Sequence, residues 1–426
     1  MRASFLSIFV MLAFQSPVIA QPMGSAESVL SAPADTLASP VSEPLLPSGG
    51  ERTVKGRWTA GNSPYLVSEN LVVAVGDSLI IEPGVVVRFS GFHQLKIHGQ
   101  LISEGTADAG ILFTSAQSVP VPGDWWGLLF EGVEAGGILR HSTIQYMSIG
   151  VDAKKSGPVT VTECEIADAE FGGVRWSEPA AAGAILGSRI LRSRAGVICN
   201  AGASPTIAGN TILDNRYAGI LCEGGSAPCI ERNILVRNRT SGIACFSHSD
   251  PLISKNRIVR NGNGINCTAS SPKIVGCAIY ENEYSGVLCF QQAAPSISSC
   301  NLYGNGRFEV RNVSDQPILA EDTWWGEYVA DPGVRIYDGA DRPGYGKVLT
   351  GGSRVVPYPG VPGGPTAQSL ALWADEKGAG KIGETAIVEN PIWVTLSGTD
   401  ESLHRGSCQC DPDGWVGWKC AHTDSL

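Results

Sequence analysis

The side chains able to do chemistry in this chain are sparse and regularly spaced. Acidic residues recur at Asp214, Glu223, Glu231, Asp250, Glu281 and Glu283. Eliminative cleavage of a polysaccharide with calcium would need several such oxygens converging on one ion. Glycoside hydrolysis would need two carboxyl groups facing across the scissile bond. Glu223 and Asp250 stand about one repeat apart, but their spacing does not single them out as a pair. His93, His98, His141 and His248 are isolated along the chain, as structural or surface histidines are. No nucleophile, phosphate loop or zinc motif has the required spacing, so no catalytic residue, cofactor or metal site is assigned. Aromatic residues offer another chemistry, apolar stacking on sugar rings. Trp176, Tyr217, Phe246, Tyr284 and Phe290 are the candidate glycan contacts; the competing role is to plug core ends or shield turns.

These residues sit inside an internal repeat. The segments around Gly196, Gly219, Gly242, Gly264 and Gly286 share one pattern, Gly, then Val or Ile, then any residue, then Cys. The steps are 23, 23, 22 and 22 residues, and weaker copies begin at Gly150 and Gly173. Each of the five is followed by a Pro step and a second apolar strand. Asn pairs then recur at Asn210 and Asn215, Asn233 and Asn238, Asn256 and Asn261. Such a period holds two or three strands of four or five residues each, too few for a four-stranded propeller blade. It suits one coil of a parallel β-helix, each strand pairing with its equivalent ~4.8 Å away on the next coil.

The repeat can then be read in columns. Val197, Ile220, Ile243, Ile265 and Val287 alternate with Cys199, Cys222, Cys245, Cys267 and Cys289, so both columns face inward. Ile190, Ile212, Leu235, Ile258, Ile279 and Leu302 form a second buried wall. The Gly and Asn columns are expected at turns, Gly supplying left-handed backbone and Asn tolerating it, with Asn amides bonding up and down the stack. One residue before the second Asn runs a charged column: Asp168, Arg192, Asp214, Arg237, Arg260, Glu281. Its mostly alternating signs fit a solvated structural face better than a carboxylate site. Neighbouring Cys in register project nearly parallel, a poor disulfide geometry. The column is therefore expected to be mostly reduced, with Cys229 standing apart.

Composition agrees. Gly makes up 52 of 426 residues and charged residues only 17%, which excludes a helical bundle, and the apolar content excludes wholesale disorder. A net charge of −10 disfavours nucleic acid as a partner. At the start, Arg2 precedes the apolar stretch Phe5–Phe14, with a small residue at Ala20. Residues 1–20 are therefore expected to be a signal peptide, too short to span a membrane. Residues 21–52 form a Ser, Pro and Ala-rich linker. The solenoid occupies 53–350, with its first strands as a cap; a Pro/Gly linker covers 351–366. Residues 367–426 are read as a partial β module or tail, with candidate strands at Ala386–Val388 and Ile392–Leu396.

A resemblance joins the ends. Trp58-Thr59 with Asn62-Ser63-Pro64-Tyr65, Ile81-Glu82-Pro83-Gly84-Val85 and Gly123-Asp124-Trp125-Trp126-Gly127 is similar to the opening of secreted bacterial right-handed parallel β-helix proteins of the pectin-lyase-like superfold. Trp324-Trp325-Gly326, Arg335-Ile336-Tyr337-Asp338 and Gly346-Lys347-Val348 resemble their closing segment. The resemblance covers about residues 55–350. It implies an all-β, right-handed parallel β-helix, and carbohydrate binding or sugar hydrolysis as the family's usual description. The expected function is non-catalytic glycan binding or surface interaction by a secreted, periplasmic or cell-surface protein. A polysaccharide lyase or glycoside hydrolase is the alternative, and a structural spacer or adhesin stalk the second.

Overall fold

The computed structural model describes residues 49–178, 183–326 and 331–358, and the backbone of strands Cys408–Cys410 and Val416–Trp418. The expected leader, most of the linker that follows it, and the strands expected at 386–388 and 392–396 lie outside the described residues.

From Glu51 to Leu349 the chain winds through three parallel sheets, two of 13 strands and one of 11. Each coil visits them in turn. In one coil the strands are Ala218–Cys222, Cys229–Glu231 and Ile234–Val236, and the next coil opens with Ser241–Phe246. Every strand pairs in parallel register with its equivalent one coil on: Ile220 opposes Ile243, Ile230 opposes Ile253, and Leu235 opposes Ile258. The fold is a right-handed parallel β-helix. The strands Cys408–Cys410 and Val416–Trp418 form a separate antiparallel pair.

Glu51–Thr53, inside the span expected as linker, is the first strand of the first sheet. Residues 351–358 remain on the solenoid, because the Arg354 amide donates to the Thr323 carbonyl (3.0 Å) and the Tyr358 amide to Asn301 Oδ1 (2.7 Å). The N-terminal region, whose sequence repeat is faint, is built of regular coils, with Trp58 stacked on Tyr65 in the first (4.6 Å between centroids).

The core is one continuous tube. Its walls are the two inward columns of the first sheet, the Ile190 to Leu302 column of the third, and a column on the second running Ile185, Ile207, Ile230, Ile253, Ile274, Ile297. All of these are at most 1% exposed, and each such side chain contributes about 1.5–3 kcal/mol by leaving water.

The turn columns work differently from the sequence expectation. Left-handed backbone falls on the residue before each Asn-column position, whether Asn, Cys, Ser or Ala stands there: Arg232, Lys255 and Ser299 at one corner, and the whole charged column from Asp168 to Glu281 at the other (φ 51–57°). The Asn side chains instead fold into the corners and hold the coils together. Asn215 Nδ2 donates to Asn238 Oδ1 (2.9 Å), Asn238 to Asn261 (2.9 Å), Asn261 to Asn282 (3.1 Å) and Asn282 to Asn305 (2.8 Å). Glu309 accepts the last amide and is closed off by Arg335 (2.9 Å). The strand Gly column needs no left-handed backbone. A Cβ on Gly242 would lie 2.6 Å from Ile258 Cγ2 and 2.9 Å from the Gly264 carbonyl, so the requirement there is steric.

Three steps of the charged column close as ion pairs: Arg192 with Asp168 (2.7 Å), Arg237 with Asp214 (2.7 Å) and Arg260 with Glu281 (2.9 Å).

Candidate functional site

The residues with chemical potential gather on the outer face of the first sheet. Because Val197 and Cys199 point inward, the residue between them points out. That position gives a column running Asp152, Arg175, Ile198, Leu221, Ala244, Asn266, Leu288, Arg311. Beside it, one residue past each Cys, stand Asn200, Glu223, Phe246, Thr268 and Phe290; Phe246, Thr268 and Phe290 pair in register. On the opposite margin Tyr217, Thr240, Gly262 and Tyr284 follow one another, the Thr240 amide donating to the Tyr217 carbonyl and the Tyr284 amide to that of Gly262 (both 2.8 Å). The result is a buried apolar row, with Ile198, Leu221, Ala244 and Leu288 only 0–8% exposed, between two more exposed margins that carry four of the five candidate aromatics.

The candidates differ in exposure. Tyr284 is 39% exposed, and the Arg307 guanidinium lies 5.9 Å from its ring centre. Tyr217, Phe246 and Phe290 are half-buried. Trp176 is a correction. It is 0% exposed and in register with Cys199, so its ring fills the core tube and offers no face to a ligand. The repeat already contained this signal, since Gly173-Val174-Arg175-Trp176 aligns with Gly196-Val197-Ile198-Cys199. Tyr280, also near an Asn turn, is likewise buried, stacked on Tyr303 at 4.9 Å.

The carboxylates separate in the same way. Asp214 and Glu281 are committed to arginines on neighbouring coils, and Glu231 to Arg232. Asp152, at one end of the row, is held by Arg175 through two bonds of 2.8 and 2.7 Å, a buried pair that spacing alone did not suggest. Asp250 lies in a turn and accepts from the Ser271 amide. Glu223 remains on the margin of the strip. Burial, and next the neighbouring Cys222, push its carboxyl above the ordinary 4.5. Tyr217 is pushed up to about 12, first by burial and then by the charge of Glu223, while Arg194 opposes the rise. Tyr217 therefore stays a phenol at neutral pH, able to donate a hydrogen bond, and Glu223 is the group nearest to an acid in the strip. Asn266 Oδ1 and Asn200 Oδ1 are buried without a hydrogen-bond partner, two acceptors that a hydroxyl-rich ligand would satisfy.

Among the described residues no three His, Cys, Asp or Glu side chains come together as a metal site would need. His98 Nδ1 contacts the Glu131 carbonyl (2.7 Å) and His141 pairs with Glu163 (3.0 Å), both structural settings. The Cys column is free and buried, together with Cys164, Cys277 and Cys300. Burial, reinforced by the neighbouring thiol, holds Cys199 and Cys289 far above the ordinary thiol range. Cys229 is disulfide-bonded.

Among the described residues no helix is long and apolar enough to cross a membrane.

Comparison with solved structures returns other solenoids. The catalytic unit of a thermostable GH87 α-1,3-glucanase from Streptomyces thermodiastaticus matches with 13% identity and a TM-score of 0.49, over 72% of this chain and 62% of that one. The A-module of the mannuronan C-5 epimerase AlgE4 from Azotobacter vinelandii matches at 15% identity and 0.45, over 72% and 91%. The periplasmic alginate epimerase AlgG matches at 13% and 0.37, over 72% and 83%. No curated protein matches the sequence. The family described as "Right handed beta helix region" matches residues 126–274 and 242–340. These overlapping matches span half of the chain and coincide with the stacked coils; the chain belongs to the right-handed β-helix family.

Proposed function

We propose that this protein binds a polysaccharide chain along the outer face of its first sheet, without cleaving it. The observation that carries the reading is the pair of aromatic margins, Tyr217 and Tyr284 on one side and Phe246 and Phe290 on the other, with unpaired amide oxygens at Asn266 in the row between them and at Asn200 on the margin. Phe246 and Phe290 stand two coils apart, ~9.6 Å, a regular spacing suited to a regular polymer. Stacking on each ring would supply roughly 0.5–1.5 kcal/mol. A leader over 1–20 would export the chain to the periplasm, the cell surface or the medium. The C-terminal 367–426 segment is read as a partial β module or tail.

A second reading rests on Glu223. A carboxyl raised by burial beside a phenol is the start of an acid–base pair, as a lyase or glycoside hydrolase would use. Against it, Asp152 is paired with Arg175 and Asp250 accepts from the Ser271 amide, so neither stands free as the second carboxylate a hydrolase would use.

Affinity electrophoresis through gels containing a panel of neutral and acidic polysaccharides tests the binding reading, with product release assayed in parallel. Retention by one class should fall roughly 2- to 10-fold in Phe246→Ala, Phe290→Ala and Tyr284→Ala. Retention unchanged in all three variants would overturn the assignment of the face. Chain cleavage abolished by Glu223→Gln would replace binding with the enzymatic reading.

A further inference from the structure

The column that follows the second Asn breaks the charge pattern of the column that precedes it. Before the Asn, the signs mostly alternate from coil to coil and close as ion pairs. After it, Glu170 is followed by Arg194, Arg216 and Arg239 on three successive coils. The backbone sets their stacking: the Arg216 amide donates to the Ser193 carbonyl (2.8 Å) and the Arg239 amide to that of Asn215 (3.0 Å). Three guanidinium groups thus leave one corner at steps of ~4.8 Å. Like charges on neighbouring strands destabilise a sheet, and a single change of sign would remove the conflict.

These arginines also lack the partners that others on the solenoid have. Arg140, Arg189, Arg192, Arg237 and Arg260 each meet a carboxylate on a neighbouring coil. Among the described residues no carboxylate forms an ion pair with Arg194 or Arg239. Arg216 spends its guanidinium on the Ala169 and Glu170 carbonyls (both 3.0 Å). Arg216 and Arg239 are exposed, and Arg194 is half-buried. The column runs beside the tyrosine margin of the first sheet. The charge of Arg194 acts on Tyr217. Glu283, past Gly262 in the column, raises the Tyr284 phenol, and Arg307 and Arg239 oppose the rise.

We infer that the polysaccharide held on the first-sheet face is an anionic one, whose carboxylate or sulfate groups lie along Arg194, Arg216 and Arg239. The inference rests on the reading of that face as a glycan site and adds the class of glycan. A guanidinium takes either oxyanion through two parallel N–H bonds. The charge of the whole chain, −10, does not repel such a ligand from the column, because charges more than ~8 Å away are largely screened at physiological salt. A nucleic acid is the less suited polyanion, since binding one takes a broad basic surface and here a short basic column stands on an acidic chain.

The test uses the full chain in affinity gels containing a polyuronate (polygalacturonate or alginate), dextran sulfate, neutral dextran or single-stranded DNA. Retention is expected on the polyuronate or on dextran sulfate, the retaining gel identifying the anion, and should weaken at least about fivefold between roughly 20 and 300 mM NaCl. Arg239→Glu should cut it at least about fivefold. Its melting temperature should hold or rise, because Arg216 gains an opposite charge in place of a like one. Arg192→Ala removes a paired arginine from the adjacent column and should leave retention within about twofold. Retention on neutral dextran that ignores salt and Arg239→Glu but falls in Phe246→Ala would overturn the anionic class and leave the binding face standing. Stronger retention on DNA than on any glycan, equal losses in Arg192→Ala and Arg239→Glu, or a lowered melting temperature in Arg239→Glu would also overturn it. No retention on any polymer would overturn the binding face as well.

Discussion

At the scale of single residues, the margin of the outer strip carries a carboxyl whose charge matters to stability. The Glu223 carboxyl is raised above 4.5 by burial, so the folded state prefers it protonated. Its favourable contribution is complete below the unfolded value and is lost as pH rises through the folded one. Glu223→Gln keeps the shape and removes the titration. The variant should melt higher than the unaltered chain near pH 7, and the gap should close below about pH 4.5. Melting temperatures measured for both proteins across pH 4–8 check this, and a pH-independent gap would contradict the burial of the carboxyl. The influence of Glu223 on Tyr217 is electrostatic and was not legible from spacing, because the two flank opposite ends of one strand. The placement of Trp176 was legible in principle: its repeat position is that of Cys199, and its aromatic identity obscured what the column stated.

At the scale of elements, the Asn column was placed correctly at the corners for the wrong reason, and the Gly column was placed there wrongly. The Asn column marked the corners, but the Gly column lies inside the first-sheet strands, and left-handed backbone falls on the residue before each Asn-column position. The fold accepts charged residues there because the Asn amide fixes the corner from inside. Column identity reveals which residues stack, yet it does not say which of two adjacent columns carries the unusual dihedral. Asn238 is the clearest case. Its Oδ1 accepts from the Asn215 amide (3.2 Å) and Nδ2 (2.9 Å), and its Nδ2 donates to the Ile212 carbonyl (3.1 Å) and to Asn261. Asn238→Ala strands buried partners on both sides and should cost roughly 2–4 kcal/mol, measured by urea denaturation. A loss below about 0.5 kcal/mol would mean that the ladder contributes register without stability. The thiol column makes a separate prediction. Cys199, Cys222, Cys245, Cys267 and Cys289 are wholly buried and free, and burial raises Cys164 to about 12. Peptide-resolved alkylation at neutral pH should leave all six unlabelled in the native protein and label them in denaturant. Rapid native labelling of the column would mean that the coils open.

For the molecule as a whole, most of the solenoid could be read from its period, because a parallel stack forces each residue to sit over its equivalent. The outer faces were harder to read, since what lies on them depends on contacts between distant positions. The same stacking makes the tube cooperative: each coil contacts mainly its neighbours, so damage to one interior position removes the template for the next. Ile243 and Ile138 test this from opposite sides. Ile243 is 0% exposed in the middle of the first-sheet wall, between Ile220 and Ile265. Ile138 lies in an equally regular strand of the second sheet but points outward and is 42% exposed. Ile243→Asp puts a carboxylate in the tube without a partner, which should cost more than about 4 kcal/mol and unfold the adjoining coils. Ile138→Asp changes only a solvated face and should stay within about 0.5 kcal/mol. Circular dichroism melts of the two variants decide the matter. If Ile243→Asp melts like the unaltered chain, the inward register is wrong; if Ile138→Asp unfolds, the second sheet's outer face is covered rather than open.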